Sequence, residues 1–182
     1  KTGSYSILFL VEKSSGTFRP VLDLKERNLA LKTTHFKMVT LQSIIPMISP
    51  GEYMTTIDLQ DAYLHIPIAR SDQRHLRFSV GHLHFQFAVL PFGLKSAPRV
   101  FTKVLAPLVA LLHLEGIFLH PYLDDWLIHA PSKDVLERHT GRVIHVLQSY
   151  GFLINWGKSR LVPSQDRVFI GARFLTHQGM VT

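Results

Sequence analysis

The sequence predicts an α+β fold with a βαββαβ, ferredoxin-like core. Three observations predict it. After Pro50-Gly51, apolar runs of strand length alternate with two helical stretches in the order strand, helix, two strands as a hairpin, helix, strand. Hydrophobic residues make up 46% and charged residues 18% of the 182, a globular composition that excludes a disordered tail. Cysteine is absent, which excludes disulfide scaffolds, zinc knuckles and thiol chemistry.

In chain order, residues 7–11 and 18–22 read as strands around a Ser14-Ser15-Gly16 turn, a hairpin with a basic exit. Residues 41–48 read as a short helix interrupted at Pro46. Pro50-Gly51 is a turn, and residues 53–59 form the first core strand, ending at Asp58. Residues 75–80 and 83–90 flank Gly81-His82 as an inserted hairpin, and 91–98 form a loop. Residues 100–114 read as a helix despite Pro107. Residues 117–123 and 126–130 form a hairpin with Asp124-Asp125 at its tip. Ser132 and Gly151 bracket a helix on which Val135, Leu136, His139, Val143, Leu147 and Tyr150 recur at helical spacing. The last core strand is expected at 152–154, followed by strands at 167–170 and 172–175. Residues 1–52 are thus expected as one segment and 53–182 as another that carries the inserted hairpin at about 75–90.

Lysine and arginine number 20 against 13 aspartates and glutamates, a net charge of +7. Either the partner is anionic, nucleic acid first, or the surface is basic and inert. The longest charge-free stretch, 78–94, falls short of the ~20 apolar residues of a membrane span, so no membrane partner is expected. No signal peptide is evident, and an intracellular location, cytoplasm or nucleus, is expected. The chain opens at Lys1, which suggests a segment of something longer. None of the eleven histidines, His35, His65, His75, His82 and His84 among them, shows zinc-ligand spacing with a second pair. Trp126 and Trp156 suit core packing better than base stacking.

In a βαββαβ core the first strand lies beside the third, so Asp58 and the Asp124-Asp125 pair would converge. Asp-Asp alone also fits an exposed type I′ turn. Three carboxylates in one place need cations, and hard oxygen donors select Mg²⁺ or Mn²⁺. Two such ions about 3.5–4 Å apart can activate a 3′-hydroxyl and steady a pyrophosphate leaving group. On a basic surface that chemistry is nucleotidyl transfer.

Tyr122-Leu123-Asp124-Asp125 resembles the Tyr-x-Asp-Asp signature of reverse transcriptases. Thr56-Ile57-Asp58-Leu59-Gln60-Asp61-Ala62-Tyr63 resembles their first palm motif, and Leu90-Pro91-Phe92-Gly93-Leu94-Lys95-Ser96-Ala97-Pro98 the loop before their template-gripping helix. Arg19-Pro20-Val21-Leu22-Asp23-Leu24-Lys25 resembles the fingers segment that meets the triphosphate. Phe169-Ile170-Gly171-Ala172 resembles the primer-grip hairpin. The five stand in the family's order. The phrase Leu22-Asp23-Leu24-Lys25 and Phe92, where retroviral enzymes usually carry Gln, look like gypsy- and DIRS-type retroelements. His35-Phe36-Lys37-Met38 with Leu41, and Trp126, lean toward the DIRS group.

The resemblance implies a right-hand polymerase palm with fingers elements, fingers in 1–52 and palm in 53–182, with no thumb. It implies RNA-directed DNA polymerase activity on an RNA template, a DNA primer and dNTPs, within a polyprotein carrying RNase H and integration modules. Asp58, Asp124 and Asp125 would be metal ligands for two Mg²⁺ or Mn²⁺ ions, with the Leu59 backbone carbonyl. Tyr63 would be the steric gate against a ribose 2′-hydroxyl; a core tyrosine is the alternative. The Asp61 and Ala62 amides would cradle the triphosphate. Arg19 would pair with phosphate oxygens; Lys13, beside Glu12, is a weaker candidate. Phe92 would flank the nucleotide without an amide. Lys158 would protonate the leaving pyrophosphate, or be an ordinary loop lysine. The rival is a decayed or domesticated element that only binds nucleic acid. An RNA-templated RNA polymerase shares the paired aspartates, but the Tyr63 gate and the Leu90-Pro91-Phe92-Gly93 loop argue against it.

Overall fold

The computed structural model describes residues 5–13, 16–32 and 36–182. Its elements in chain order are β1 (Leu8–Glu12), β2 (Phe18–Leu22), α1 (Lys25–Ala30), α2 (Leu41–Ile44), β3 (Tyr53–Asp58), β4 (Arg77–Val80), β5 (Leu83–Gln86), α3 (Ala97–Leu114), β6 (Phe118–Tyr122), β7 (Asp125–Ala130), α4 (Lys133–Ser149), β8 (Arg160–Ser164), β9 (Asp166–Phe169), β10 (Ala172–Leu175) and β11 (Met180–Val181). They form two units, one from Lys1–Phe36 with Tyr63–Phe101, the other from Lys37–Ala62 with Thr102–Thr182. Residues 37–52, grouped with the N-terminal segment in the sequence analysis, lie in the second unit, because Ile44 packs with Met54, Leu127 and Phe174 in one core. Ser14, Ser15 and His35 lie outside the described residues.

The second unit is a four-stranded antiparallel sheet in the order β6-β7-β3-β8, the strand order of a βαββαβ core, with β9–β11 as a separate three-stranded sheet. Successive side chains on β3 face opposite sides, and both sides are covered. Met54 joins Ile44, Leu127, Phe169, Ala172 and Phe174, all buried. Thr55 on the other face meets α4, its hydroxyl 2.7 Å from that of Thr140. Ser132 caps α4 by accepting from the Val135 N–H, and Gly151 at φ +85° ends it. Of the six periodic positions, Leu136, Val143 and Leu147 are buried, whereas Tyr150 is exposed at the helix end.

The first unit contains two hairpins, β1–β2 and β4–β5. Leu22, Leu24 and Leu76 form its small core with Phe78, Phe87 and Leu94 around them. The loop before α3 is held against β2: Val21 bridges Phe92, and the Leu22 N–H donates to the Phe92 carbonyl at 3.2 Å. The loop passes so close that a Cβ on Gly93, which sits at φ +99°, would stand 2.2 Å from the Leu22 carbonyl oxygen. Only glycine fits there. Asn28 on α1 bonds the Gly93 carbonyl and the Lys95 N–H, each at 2.8 Å.

Three elements differ from the sequence reading. Residues 152–154 make a single bridge, Leu59 with Ile154; the fourth sheet strand is β8 instead. Its sequence Arg-Leu-Val-Pro-Ser hides it, since Pro163 is tolerated on an edge strand and weakens the pattern. The helix α1 was not anticipated, since it buries no residue and has no side-chain cap. The helix expected at 100–114 starts at Ala97, and this 18-residue α3 is long and apolar enough to cross a membrane by length and composition. Ala97, Phe101, Leu105, Leu108 and Leu112 along it are nevertheless buried, the stripe of a core helix.

Away from the aspartates, a polar chain joins β6, β7 and the turn before β3. Glu52 accepts from His129 Nδ1 at 2.8 Å, which leaves His129 Nε2 to accept from His120 Nε2 at 3.1 Å. Burial, then the neighbouring His129 and His113, lower the His120 pKa to about 4; burial also lowers that of His129, against the opposing charge of Glu52. Both histidines therefore fold neutral, while the unfolded chain takes up protons below pH 6.5. The stability they contribute is complete above about pH 6.5 and is lost as pH falls toward 4. The loss should amount to about 2–3 kcal/mol for His120. Thermal unfolding from pH 7 to 4 should therefore fall less steeply for His120→Gln than for the parent.

Candidate active site

The antiparallel pairing of β3 with β7 sets Asp58 directly opposite Asp125. Tyr122 pairs with Asp125 across the β6–β7 turn, so the turn residues are Leu123 and Asp124, and Asp125 already belongs to β7. Leu123 is left-handed at φ +54° and Asp124 is not, which excludes the type I′ form. A non-glycine residue there is strained. The Trp126 indole N–H, donating to the Leu123 carbonyl at 3.1 Å, and the Leu59 N–H, donating to the Asp124 carbonyl at 2.8 Å, hold the tip in place. Trp126 is fully buried and Trp156 is exposed.

The Asp58 and Asp125 side chains share a hydrogen bond. Partial burial of its carboxyl group, then the charges of Asp124 and Asp58, push Asp125 up to about 6, with Lys158 opposing. Burial also raises Asp58, against Lys158 and a hydrogen bond from Asn155. Asp124 thus acts on both carboxyls through its charge. Among the described residues no three acidic or histidine side chains stand close enough to form a ready cage. The expected convergence of three is met by two carboxyls in contact and a third at longer range. Asp124 lies in the turn, outside the ladder that pairs the other two, and like charges repel. The donor chemistry fits a hard divalent cation: anionic oxygens crowded onto a facing pair of acids that Lys158 only partly offsets.

Asp58, Asp125 and Lys158 line a cleft of about 620 Å³ whose other wall includes Arg160, Arg167 and Arg173. Arg173 is paired bidentately with Asp166 at 2.8 and 2.6 Å. From the β9–β10 hairpin Val168, Phe169 and Ile170 line the cleft; Ile170 and Gly171 at its turn are both at positive φ, which in a β-branched residue is an outlier the sequence did not signal. Lys158 sits on an exposed turn after Asn155. Asn155 and Ser159, which bond Asp58, are site residues that the sequence reading does not single out, although both flank Lys158. Leu59 is buried; Asp61 is left-handed at φ +47°, and Ala62 is buried at the start of a 3-10 turn.

The first unit gathers a different set. The Arg19 guanidinium lies 4.3 Å from the centroid of the Phe92 ring, and its Nε is buried without a hydrogen-bond partner. Tyr63 packs its ring against Phe92 at 5.1 Å and Phe101 at 5.5 Å. Lys13 lies at the β1–β2 turn, where its N–H donates to the Thr17 carbonyl at 2.7 Å.

The raised Asp125 has a consequence for stability. An acid whose folded pKa lies near 6, above the usual 3.8, disfavours the fold increasingly as pH rises from about 4 through 6. Asn at this position never ionises and can donate to Asp58 as the protonated carboxyl does. Asp125→Asn should therefore be the more stable protein at pH 7 in EDTA and gain nothing at pH 4. Solvent screening limits the gain to about 1 kcal/mol, roughly 2–4 °C in melting temperature.

The model of the family described as reverse transcriptase (RNA-dependent DNA polymerase) matches residues 11–174. The Tf2-3 and Tf2-7 transposon polyproteins of Schizosaccharomyces pombe are each 27% identical over 164 residues, 90% of this chain and 12% of either polyprotein. The foamy viral protease-reverse transcriptase in complex with double-stranded DNA is similar at TM-score 0.83 and 22% identity, over 97% of this chain and 31% of its own. In complex with an RNA/DNA hybrid it is similar at TM-score 0.79 and 22% identity, over 95% and 23%. Likeness at that identity gives the fold, a polymerase palm with fingers elements. The sheet order, the facing aspartates and the family match over most of the length agree: the chain belongs to the reverse transcriptase (RNA-dependent DNA polymerase) family.

Proposed function

We propose that this chain is the polymerase portion of a retroelement polyprotein and extends a DNA primer on an RNA or DNA template by nucleotidyl transfer from dNTPs. The observation that carries the reading is the face-to-face Asp58–Asp125 pair, under the charge of Asp124 and beside Lys158, in a cleft lined by arginines. Asp58, Asp124 and Asp125, with the Leu59 carbonyl, would hold divalent cations, Mg²⁺ or Mn²⁺. When bound, these supply charge neutralisation and activation of the primer 3′-hydroxyl. Lys158 hands a proton to the departing pyrophosphate. Arg19, with Lys13, binds phosphate oxygens, and the Asp61 and Ala62 amides add donors.

Tyr63 excludes the ribose 2′-hydroxyl, and Phe92 flanks the nucleotide with an apolar face. Residues 1–52 and the hairpin at about 75–90 serve as fingers, the remainder as palm. The whole protein would include RNase H and integration modules, belong to the gypsy or DIRS group, act inside the cell in cytoplasm or nucleus, and need no membrane. The S. pombe relatives are transposon polyproteins that extend far beyond the matched part, which supports that reading.

Primer extension on an RNA template, with this chain and with a version extended past residue 182, tests the activity. Asp124→Asn or Asp125→Asn should lower the rate about a thousandfold or more while the protein stays folded. Near-normal extension by either variant would refute the assignment, and an inert but hybrid-binding parent would favour the decayed element.

The sugar gate is separable. Tyr63→Val should admit ribonucleotides, reducing discrimination by roughly ten- to a hundredfold, with deoxynucleotide incorporation largely kept. Single-nucleotide incorporation of rNTP against dNTP reads this; unchanged rejection would make Tyr63 a core residue packed on Phe92 and Phe101.

A further inference from the structure

Asp58 is gripped at three points by one turn. The Asn155 N–H donates to the Asp58 carbonyl at 2.8 Å. The Asp58 N–H donates to Ser159 Oγ at 3.0 Å. The Asn155 side chain hydrogen-bonds the Asp58 carboxylate. The orientation of that amide is fixed from the other side, since Asn155 Oδ1 accepts from the Lys158 N–H at 3.3 Å and leaves the NH₂ to face Asp58. Ser159 is equally committed: buried at 6% exposure, its hydroxyl accepts from Asp58 and donates to the Asn155 carbonyl at 2.8 Å. Arg160 braces the turn by donating to the carbonyls of Gly157 at 2.9 Å and Ser159 at 3.2 Å.

The turn occupies the place where sheet pairing gives out. β3 pairs with β8 at Met54 and Thr56, with a register shift between them, and no partner on β8 faces Asp58. On that side the 155–159 turn replaces the ladder. A carboxylate at a strand end would otherwise rotate toward water, away from Asp125, since crowding with another acid disfavours the contact. The Asn155 amide opposes this without adding charge. An aspartate there would repel Asp58, and an alanine would leave it one donor short.

We infer that Asn155 is a positioning residue: it holds the Asp58 carboxylate in the orientation that faces Asp125, and so presets the cation site those two acids would share, with Ser159 fixing the backbone beneath it. The inference rests on the active-site reading above. Partners that orient a metal ligand typically matter about ten- to a hundredfold in metal affinity.

The test is Mn²⁺ binding to the 182-residue chain by titration calorimetry, for the parent, Asn155→Ala, Ser159→Ala and Asp58→Asn, with melting in EDTA as the measure of folding. Asn155→Ala should weaken Mn²⁺ binding about ten- to a hundredfold and melt within a few degrees of the parent. In primer extension its maximal rate should fall with KM for dNTP within about twofold, and excess Mn²⁺ should restore the rate, which a merely structural defect would not allow. If Asn155→Ala does not fold, Asn155→Ser, which keeps a small polar group in the turn, replaces it under the same limits. An Asp58-dependent Mn²⁺ site that is indifferent to both Asn155 and Ser159 overturns this inference alone. Mn²⁺ binding indifferent to Asp58→Asn overturns the active-site reading and the inference with it.

Discussion

The register between β3 and β7 is the constraint on which the site depends. Side chains alternate along a strand, so a slip of one residue would turn Asp58 to the other face and carry Met54 and Ile57 with it. Both are fully buried, as are Leu127 and Ile128 on the facing strand. The register is therefore held by apolar packing on both sheet faces, and by the Thr55–Thr140 contact that ties β3 to α4. That packing brings two acids face to face where neither gains from the meeting. Burial and then the charge of Asp124 raise both their pKa values, so hydrophobic energy elsewhere in the sheet sustains a local electrostatic cost. Such a cost at a cleft is what a cation site requires before its cation arrives.

Much of this was legible in the residues because the signals were strong and local. The Ser132 cap and Gly151 bracketed α4, and Gly81-His82 marked the β4–β5 turn. The Asp58–Asp125 meeting followed from element order alone, since a first strand beside a third leaves few alternatives. What stayed hidden had no pattern to show. β8 carries Arg160, Pro163 and Ser164 on an edge, where neither alternation nor burial is demanded. The grip of Asn155 and Ser159 on Asp58 runs half through backbone groups, which every residue possesses. Asp124 sits in the turn rather than on a strand, so the pairing register that fixes Asp58 against Asp125 does not fix its side chain.

The two units differ in how they are built. The sheet of the second has both faces covered by large buried side chains. The first rests on a small leucine core, and its strands leave Phe9, Leu10, Val11, Phe18, Val80, Leu83 and Phe85 exposed. Segments with few buried apolar contacts open locally at lower free energy than a packed sheet. The hairpins of the first unit are thus its most readily deformed parts. The loop carrying Phe92 is the exception, pinned to β2 by backbone bridging and to α1 by Asn28.

That exception places rigidity at the residues proposed to sort nucleotides. Phe92 lies between Arg19 and Tyr63, one face toward a guanidinium and the ring also against the phenol. An amide at this position could bond a substrate, but it would offer Arg19 no π-face and Tyr63 less surface to pack on. The Arg19 Nε is buried without a partner, a cost that the aromatic face only partly offsets. The guanidinium as a whole is only half-buried, which leaves its remaining N–H groups for the phosphate oxygens proposed for it. Facing acids in the sheet and a partly unsatisfied cation in the hairpin unit follow one logic: each is an electrostatic deficit of the free protein that its proposed ligand would remove.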